Sequence, residues 1–229
     1  MDARAQFERN SFVIVSDAIP AAELDRLREA AARLTDRCRS GEHAWVRRAP
    51  DMSDTWGAGK MFQPTSLEPE LIEAMCGSRI REVSHAILGA NRLAVVSFLF
   101  NPSEQSWDGP WHRDSQYLLP QDPERQVAVV TAAAWSVQWN VALYEDDALW
   151  VVPGSGGRWN TPDEESIITG AERPMPGAVA VRLRPGEGVA YTPFMIHRGL
   201  YRPHPPRATL HFTFVRTPEP DPRIPDLRP

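Results

Sequence analysis

The stretch Arg207-Ala208-Thr209-Leu210-His211-Phe212-Thr213-Phe214 decides how this chain is read. Strict alternation puts Leu210, Phe212 and Phe214 on one face of a strand and Arg207, Thr209 and His211 on the other. One face suits a core, the other a polar interior. Working outward, Leu93–Phe100, Val127–Ala133, Ser136–Tyr144, Leu149–Val152, Ala178–Leu183, Gly188–Tyr191 and Ala208–Arg216 share this richness in Val, Phe, Trp and Thr and read as strands. Turn clusters separate them at Pro153–Gly157, Pro176-Gly177 and Pro185–Gly188.

The first 90 residues have another character. Ser11–Ser16 is a short strand that Asp17–Pro20 interrupts. Leu24, Leu27, Ala31, Leu34 and Cys38 recur at three and four, the stripe of an amphipathic helix over Ala21–Cys38. A second helical region, Pro69–Leu88, breaks near Gly77-Ser78 and so reads as two helices. Residues 40–66 show no period and mix three glycines with Trp45, Arg47, Arg48, Trp56, Lys60 and Phe62; an ordinary loop and a lid over a pocket are both open. Helices followed by many short strands predict a mainly β protein, a sandwich or jelly roll with N-terminal helices packed on one sheet. A single domain over 1–217 is expected, helical over 1–90 and jelly roll over 91–217. Five prolines in the twelve residues 218–229 predict an extended tail.

Charge narrows the partners. Twenty-five basic against 30 acidic residues give a net charge of −5, with no basic stripe to hold nucleic acid. The acidic balance by itself favours a cationic small-molecule substrate. No apolar run approaches the roughly 18 residues of a membrane span, and the N-terminus has no leader-like apolar region. A cytoplasmic protein is expected, with Cys38 and Cys76 as free thiols. Monomer and homo-oligomer are both open.

The chemistry centres on Trp111-His112-Arg113-Asp114. Two residues apart on extended backbone, His112 and Asp114 emerge on one side and can grip one ion. An H-x-D pair alone is weak, because it recurs by chance. His197, beside a later strand, supplies a third ligand. Two histidines and a carboxylate on one face leave the opposite face open, which is how non-haem Fe(II) is held in oxygenases. Arg207, with a hydroxyl two residues on at Thr209, makes a fork-plus-donor site for a carboxylate. Inside a barrel an unpaired arginine is costly, so an interior Arg207 implies a bound anion or an acidic partner. The remaining histidines read as structural, with His211 the least certain.

Together these residues resemble the phytanoyl-CoA dioxygenase-like (PhyH) family of Fe(II)/2-oxoglutarate oxygenases. Phe12–Asp17 followed by Ala21–Leu27 is similar to the family's opening strand and helix, Trp111–Asp114 with Tyr117 to its metal motif, and Leu149–Ser155 to its strand ending in a Pro-Gly-Ser turn. The resemblance implies a double-stranded β-helix of cupin type. It implies that His112, Asp114 and His197 bind Fe(II) and carry the catalysis. Arg207 with Thr209 then holds the far carboxylate of 2-oxoglutarate, and Asn140 and Gln138 contact the cofactor. It further implies decarboxylation of 2-oxoglutarate to succinate at the expense of O2, coupled to hydrogen abstraction from a substrate. Asp114 argues against halogenation, for which related enzymes replace the carboxylate by Gly or Ala. The family commonly has histidine after the Pro-Gly-Ser turn where this chain has Gly156, and lysine-proline where it has Asn101-Pro102.

Eight tryptophans, several in loops or near the metal motif, suit a sugar face, and Trp56, Trp111 and Tyr117 are candidate substrate contacts. In general build the chain resembles the orthosomycin oxygenases, which implies oxidative ring closure on an aminated sugar or oligosaccharide in antibiotic biosynthesis. Hydroxylation of an amino acid, lipid or polyketide is the alternative. A cupin-like metal protein that does not use 2-oxoglutarate would keep the triad but would not need Arg207.

Overall fold

The computed structural model describes residues 2–48, 54–61 and 68–217. Eleven described strands form two antiparallel sheets. They are β1 (Phe12–Val15), β2 (Val46–Arg48), β3 (Thr55–Ala58), β4 (Asn91–Phe100), β5 (Trp107–Asp108), β6 (Ser136–Ala142), β7 (Leu149–Val151), β8 (Val179–Ala180), β9 (Gly188–Tyr191), β10 (His197–Tyr201) and β11 (Ala208–Arg216). The large sheet runs β1-β9-β6-β11-β4-β3-β2 and the small one β5-β10-β7-β8. This is the jelly roll the alternation predicts.

The two faces of the large sheet carry different chemistry because the side-chain period of a strand is two. Val96, Phe98, Phe100, Val137, Trp139, Val141, Leu210, Phe212 and Phe214 point one way and bury against helices. Those helices are α1 (Ala3–Asn10), α2 (Leu24–Ser40), α3 (Pro69–Met75) and α4 (Ser78–Leu88). Trp139 is completely buried there, and its indole N–H donates to Ser84 Oγ at 3.0 Å. On the opposite face, register aligns His211 with Asn140 and Ser97, and Thr213 with Gln138. That face lines the cavity of the site.

Helix ends follow local chemistry. Asp2 caps α1 by accepting from Arg4 N, and α2 stops at Gly41, whose φ of +84° is open to glycine at little cost. The break between α3 and α4 falls at Cys76-Gly77, as the sequence indicates. The sequence reading missed α1, as well as α5 (Asp114–Leu118) and α7 (Pro162–Ile168). It also misassigned Val127–Ala133, which belongs to α6 (Pro123–Thr131) and not to a strand. Asp122 caps α6 from Arg125 N and Pro123 opens it. Val129 and Val130 then bury against Leu119 and Phe194, so tertiary packing overrides their β-branched preference. The described part of 40–66 is a hairpin, β2 with β3, joined to the sheet edge; the rest of that segment and the tail from 218 lie outside the described residues. No described helix is long and apolar enough to cross a membrane.

A carboxylate ties the helical layer together. Glu68 is nearly buried and accepts from Arg33 Nη2 at 2.8 Å and Arg37 Nη2 at 2.5 Å, joining the start of α3 to α2. Burial pushes its pKa up, but the two guanidinium groups outweigh burial and leave it below the ordinary 4.5. The stabilisation is therefore full above that value and is lost as pH falls through the lower folded one. Glu68→Gln should cost about 1–2 kcal/mol near neutral pH and flatten the acid limb of stability. Urea melts from about pH 3 to about pH 7 check this; a wild-type slope in the variant would refute the linkage.

Candidate active site

His112 and His197 face each other across an antiparallel bridge. His112 N donates to His197 O at 3.0 Å and His197 N to His112 O at 2.9 Å, while Asp114 N donates to Pro193 O at 2.9 Å. Backbone pairing thus brings together residues that are distant in sequence. Each imidazole donates Nδ1–H to a nearby carbonyl, His112 to Pro110 O at 2.8 Å and His197 to Met195 O at 2.9 Å. That fixes the tautomer and presents both Nε2 lone pairs inward. Asp114 Oδ1 lies 3.6 Å from each Nε2, and one donor atom from each of the three lies within 4.8 Å of the others. Burial, aided by the charge His112 would carry, pushes the pKa of His197 down to about 4, so it stays a neutral ligand. Burial raises Asp114, but its histidine neighbours outweigh it and keep the group ionised. The donor set fits a divalent transition metal with open positions.

Arg113, between the two ligands in sequence, points the other way and is fully buried. Its Nε donates to Asn160 Oδ1 at 2.7 Å and its Nη1 to the carbonyls of Ser155 and Phe194. One guanidinium thereby joins the Pro-Gly-Ser turn, the segment leading into His197, and the H-x-D motif itself. Burial pushes its pKa down to about 10, which leaves it charged near neutral pH.

A cavity of about 1080 Å³ opens over the triad. Trp56, Trp107 and Tyr201 form one aromatic wall, with ring centroids 4.4–5.2 Å apart. Gln138 and Asn140 lie on the floor. Gln138 Nε2 donates to Tyr191 Oη at 2.7 Å, and His211 Nδ1 meets Asn140 Oδ1 at 2.7 Å. Arg207 lines the cavity as predicted, and its acidic partner is in the chain. Its Nε donates to Asp146 Oδ2 at 2.9 Å, and Thr209 Oγ1 donates to the same oxygen. Its Nη1 is buried with no partner among the described residues. An unsatisfied guanidinium N–H at a cavity wall is a vacant position for an anion.

A family model described as phytanoyl-CoA dioxygenase matches residues 7–200. The chain belongs to the PhyH family. It is an Fe(II)/2-oxoglutarate-dependent oxygenase, with iron and 2-oxoglutarate as cofactors and O2 as co-substrate. The match includes the triad and ends before Arg207. Comparison with curated protein sequences yields no match. Among solved structures, the chain is similar to EctD from S. alaskensis with bound Fe, at 20% identity and a TM-score of 0.71, covering 93% of this chain and 75% of that one. AviO1 from Streptomyces viridochromogenes aligns at 16% identity and 0.68, covering 95% and 96%. The non-heme alpha-ketoglutarate-dependent carbocyclase SnoK from nogalamycin biosynthesis aligns at 15% and 0.67, covering 93% and 83%. At these identities the likeness is one of fold.

The PhyH chain departs from the sequence reading at two residues. Trp111 packs away from the cavity with Val152, Ile167, Met175 and Ile196, because alternation sends it opposite His112. Thr209 uses its hydroxyl on Asp146 and does not line the cavity. Tyr117 does line the cavity, 63% exposed at its mouth, with its ring centroid 5.0 Å from that of His112. Gly156, where the family commonly has histidine, is explained by contact: an added Cβ would lie 2.5 Å from Thr192 Cγ2 and 2.8 Å from Ser11 Oγ. The sequence assigns no role to Asp146 or Arg113, notes Arg47 only within 40–66, and counts His211 only as the least certain of the structural histidines. Asp146 sits in a short acidic connection, and nothing in its sequence context names Arg207 as its partner.

Arg113→Met removes the three-way tie without touching a ligand. Its iron affinity should fall about 10–100-fold with unchanged far-UV circular dichroism, read by Fe(II) titration against a competing chelator. Wild-type affinity would show that the ligand loops hold themselves.

Proposed function

We propose that this enzyme oxidises an unactivated C–H bond of a small molecule in specialised metabolism, with His112, Asp114 and His197 holding iron and Arg207 holding the far carboxylate of 2-oxoglutarate. The observation that carries this reading is the vacant Arg207 Nη1 beside a His-Asp-His cluster in one cavity. Iron with 2-oxoglutarate supplies, when bound, an O2-derived oxidant able to abstract a hydrogen atom. The chain's own residues do the rest. The anchored imidazoles keep their Nε2 lone pairs aimed without reorganisation. Asp146 fixes the Arg207 fork by holding Nε and leaves Nη1 for the cosubstrate. Trp56, Trp107 and Tyr201 give the substrate a dry aromatic face.

For the substrate, the reading is oxidative ring closure on a sugar or oligosaccharide. A cavity of about 1080 Å³ sits at the upper end of small-molecule sites, and indole faces suit sugar C–H surfaces. SnoK, similar in fold, is named a carbocyclase, which supports the ring-closure reading. Hydroxylation of a compact substrate is the alternative, supported by an EctD structure holding 2-oxoglutarate and 5-hydroxyectoine. The amino group expected on the sugar rests on net charge alone, and the cavity wall carries the opposite sign.

The test is anaerobic loading with Fe(II) followed by titration with 2-oxoglutarate, read by the visible metal-to-ligand charge-transfer band. Wild type should show the band, His112→Ala should lose it, and Arg207→Ala should keep iron but need about 10–100-fold more 2-oxoglutarate. Iron binding with no band in wild type would reject the reading in favour of a metal protein that does not use 2-oxoglutarate.

A further inference from the structure

The chain is acidic overall, yet its cavity is not. Arg47, Arg92, Arg207 and Arg216 line it, and Asp114 is the one carboxylate among the described lining residues. Asp114 belongs to the metal, and Arg207 is neutralised by Asp146 behind it. With iron and 2-oxoglutarate bound, the reaction centre itself carries about one negative charge. Arg47, Arg92 and Arg216 form no ion pair among the described residues, and they outweigh it. Arg92 and Arg216 are exposed at the rim, where water weakens them, so half-buried Arg47 contributes most to the field a substrate meets.

Arg47 is the residue built for contact. It comes from β2, at the sheet edge, and is paired in register with Gly57 on β3. A Cβ at Gly57 would lie 3.2 Å from Arg47 Cδ and 2.9 Å from Phe98 O, so the missing side chain leaves the channel through which Arg47 reaches the cavity. Once inside, Nη2 donates to Ser97 Oγ at 3.2 Å and the guanidinium lies 5.7 Å over the Trp56 ring. Both partners are neutral. Ser97 pairs in register with His211, whose ring is tied to Asn140, so a polar row crosses the cavity floor from β6 to β2. A half-buried guanidinium held by a hydroxyl and an indole face keeps N–H donors for an anion.

We propose that Arg47 binds an oxyanion on the substrate, and that the substrate is therefore an organic acid, carboxylate or phosphate, and not an amine. This rests on the function proposed above, since it assigns the substrate of that same cavity. Arg92 and Arg216, nearer the rim, steer the anion inward, while Trp56 packs against the body of the molecule.

The experiment uses the anaerobic Fe(II)·2-oxoglutarate enzyme and four probes of one shape: cyclohexanecarboxylate, cyclohexyl phosphate, cyclohexanecarboxamide and cyclohexylamine. Binding is read by quenching of tryptophan fluorescence. The charge-transfer band, recorded first, tests the oxygenase reading separately. At least one anion should bind about ten-fold or more tighter than the amide and the amine, and whichever anion does so identifies the oxyanion. Arg47→Gln should erase that preference while needing the same 2-oxoglutarate within about two-fold, and Arg47→Lys should restore part of it. Equal binding of amine and anions by wild type would overturn the proposal without a variant. A large rise in the 2-oxoglutarate that Arg47→Gln requires would also overturn it, by assigning Arg47 to the cosubstrate.

Discussion

The antiparallel bridge between His112 and His197 is the contact on which the rest depends. Two backbone hydrogen bonds, 3.0 and 2.9 Å, bring together strand ends separated by most of the jelly roll. Their geometry sets the spacing of the two imidazoles, and a carbonyl two residues before each ring sets its tautomer. The metal site is thus a by-product of sheet pairing. It needs a stiff frame, because loose ligands lose affinity steeply.

Buried charge is part of what holds that frame in place. Arg113 and the Arg207–Asp146 pair are each deep in the protein, where an unpaired ion is severely penalised. Each is held by different partners. Arg113 rests on a side-chain amide and two carbonyls and locks three loops in place. Arg207 rests on a carboxylate but leaves one N–H unused. Both leave one guanidinium nitrogen without a partner among the described residues, but only Arg207 lines the cavity and so is placed for a ligand. The distinction follows from position relative to the cavity, not from the residue type.

Net charge and local charge point in opposite directions in this molecule. The acidic surplus is distributed over the surface, for instance on Asp25, Glu82 and Asp163 in exposed ion pairs that contribute little. The cavity collects arginines from β2, β4 and β11 that lie far apart in sequence. A bound substrate responds most to half-buried Arg47, because water screens exposed charges of either sign.

The sequence by itself determined the period-two faces of β11, the amphipathic stripe of α2, the break before α4 and the H-x-D pair, since each is a local pattern with its own physical cause. It also carried the pattern of helices followed by strands. What the tertiary structure alone decided were contacts across long separations: Asp146 on Arg207, 61 residues apart, and Arg47 passing over Gly57 into the cavity. The valines of α6 show the same limit, because a β-branched run became helix once Val129 and Val130 found a buried face. Side-chain alternation along a strand is set within a few residues, but which opposing charge fills an interior site depends on how the sheet folds over.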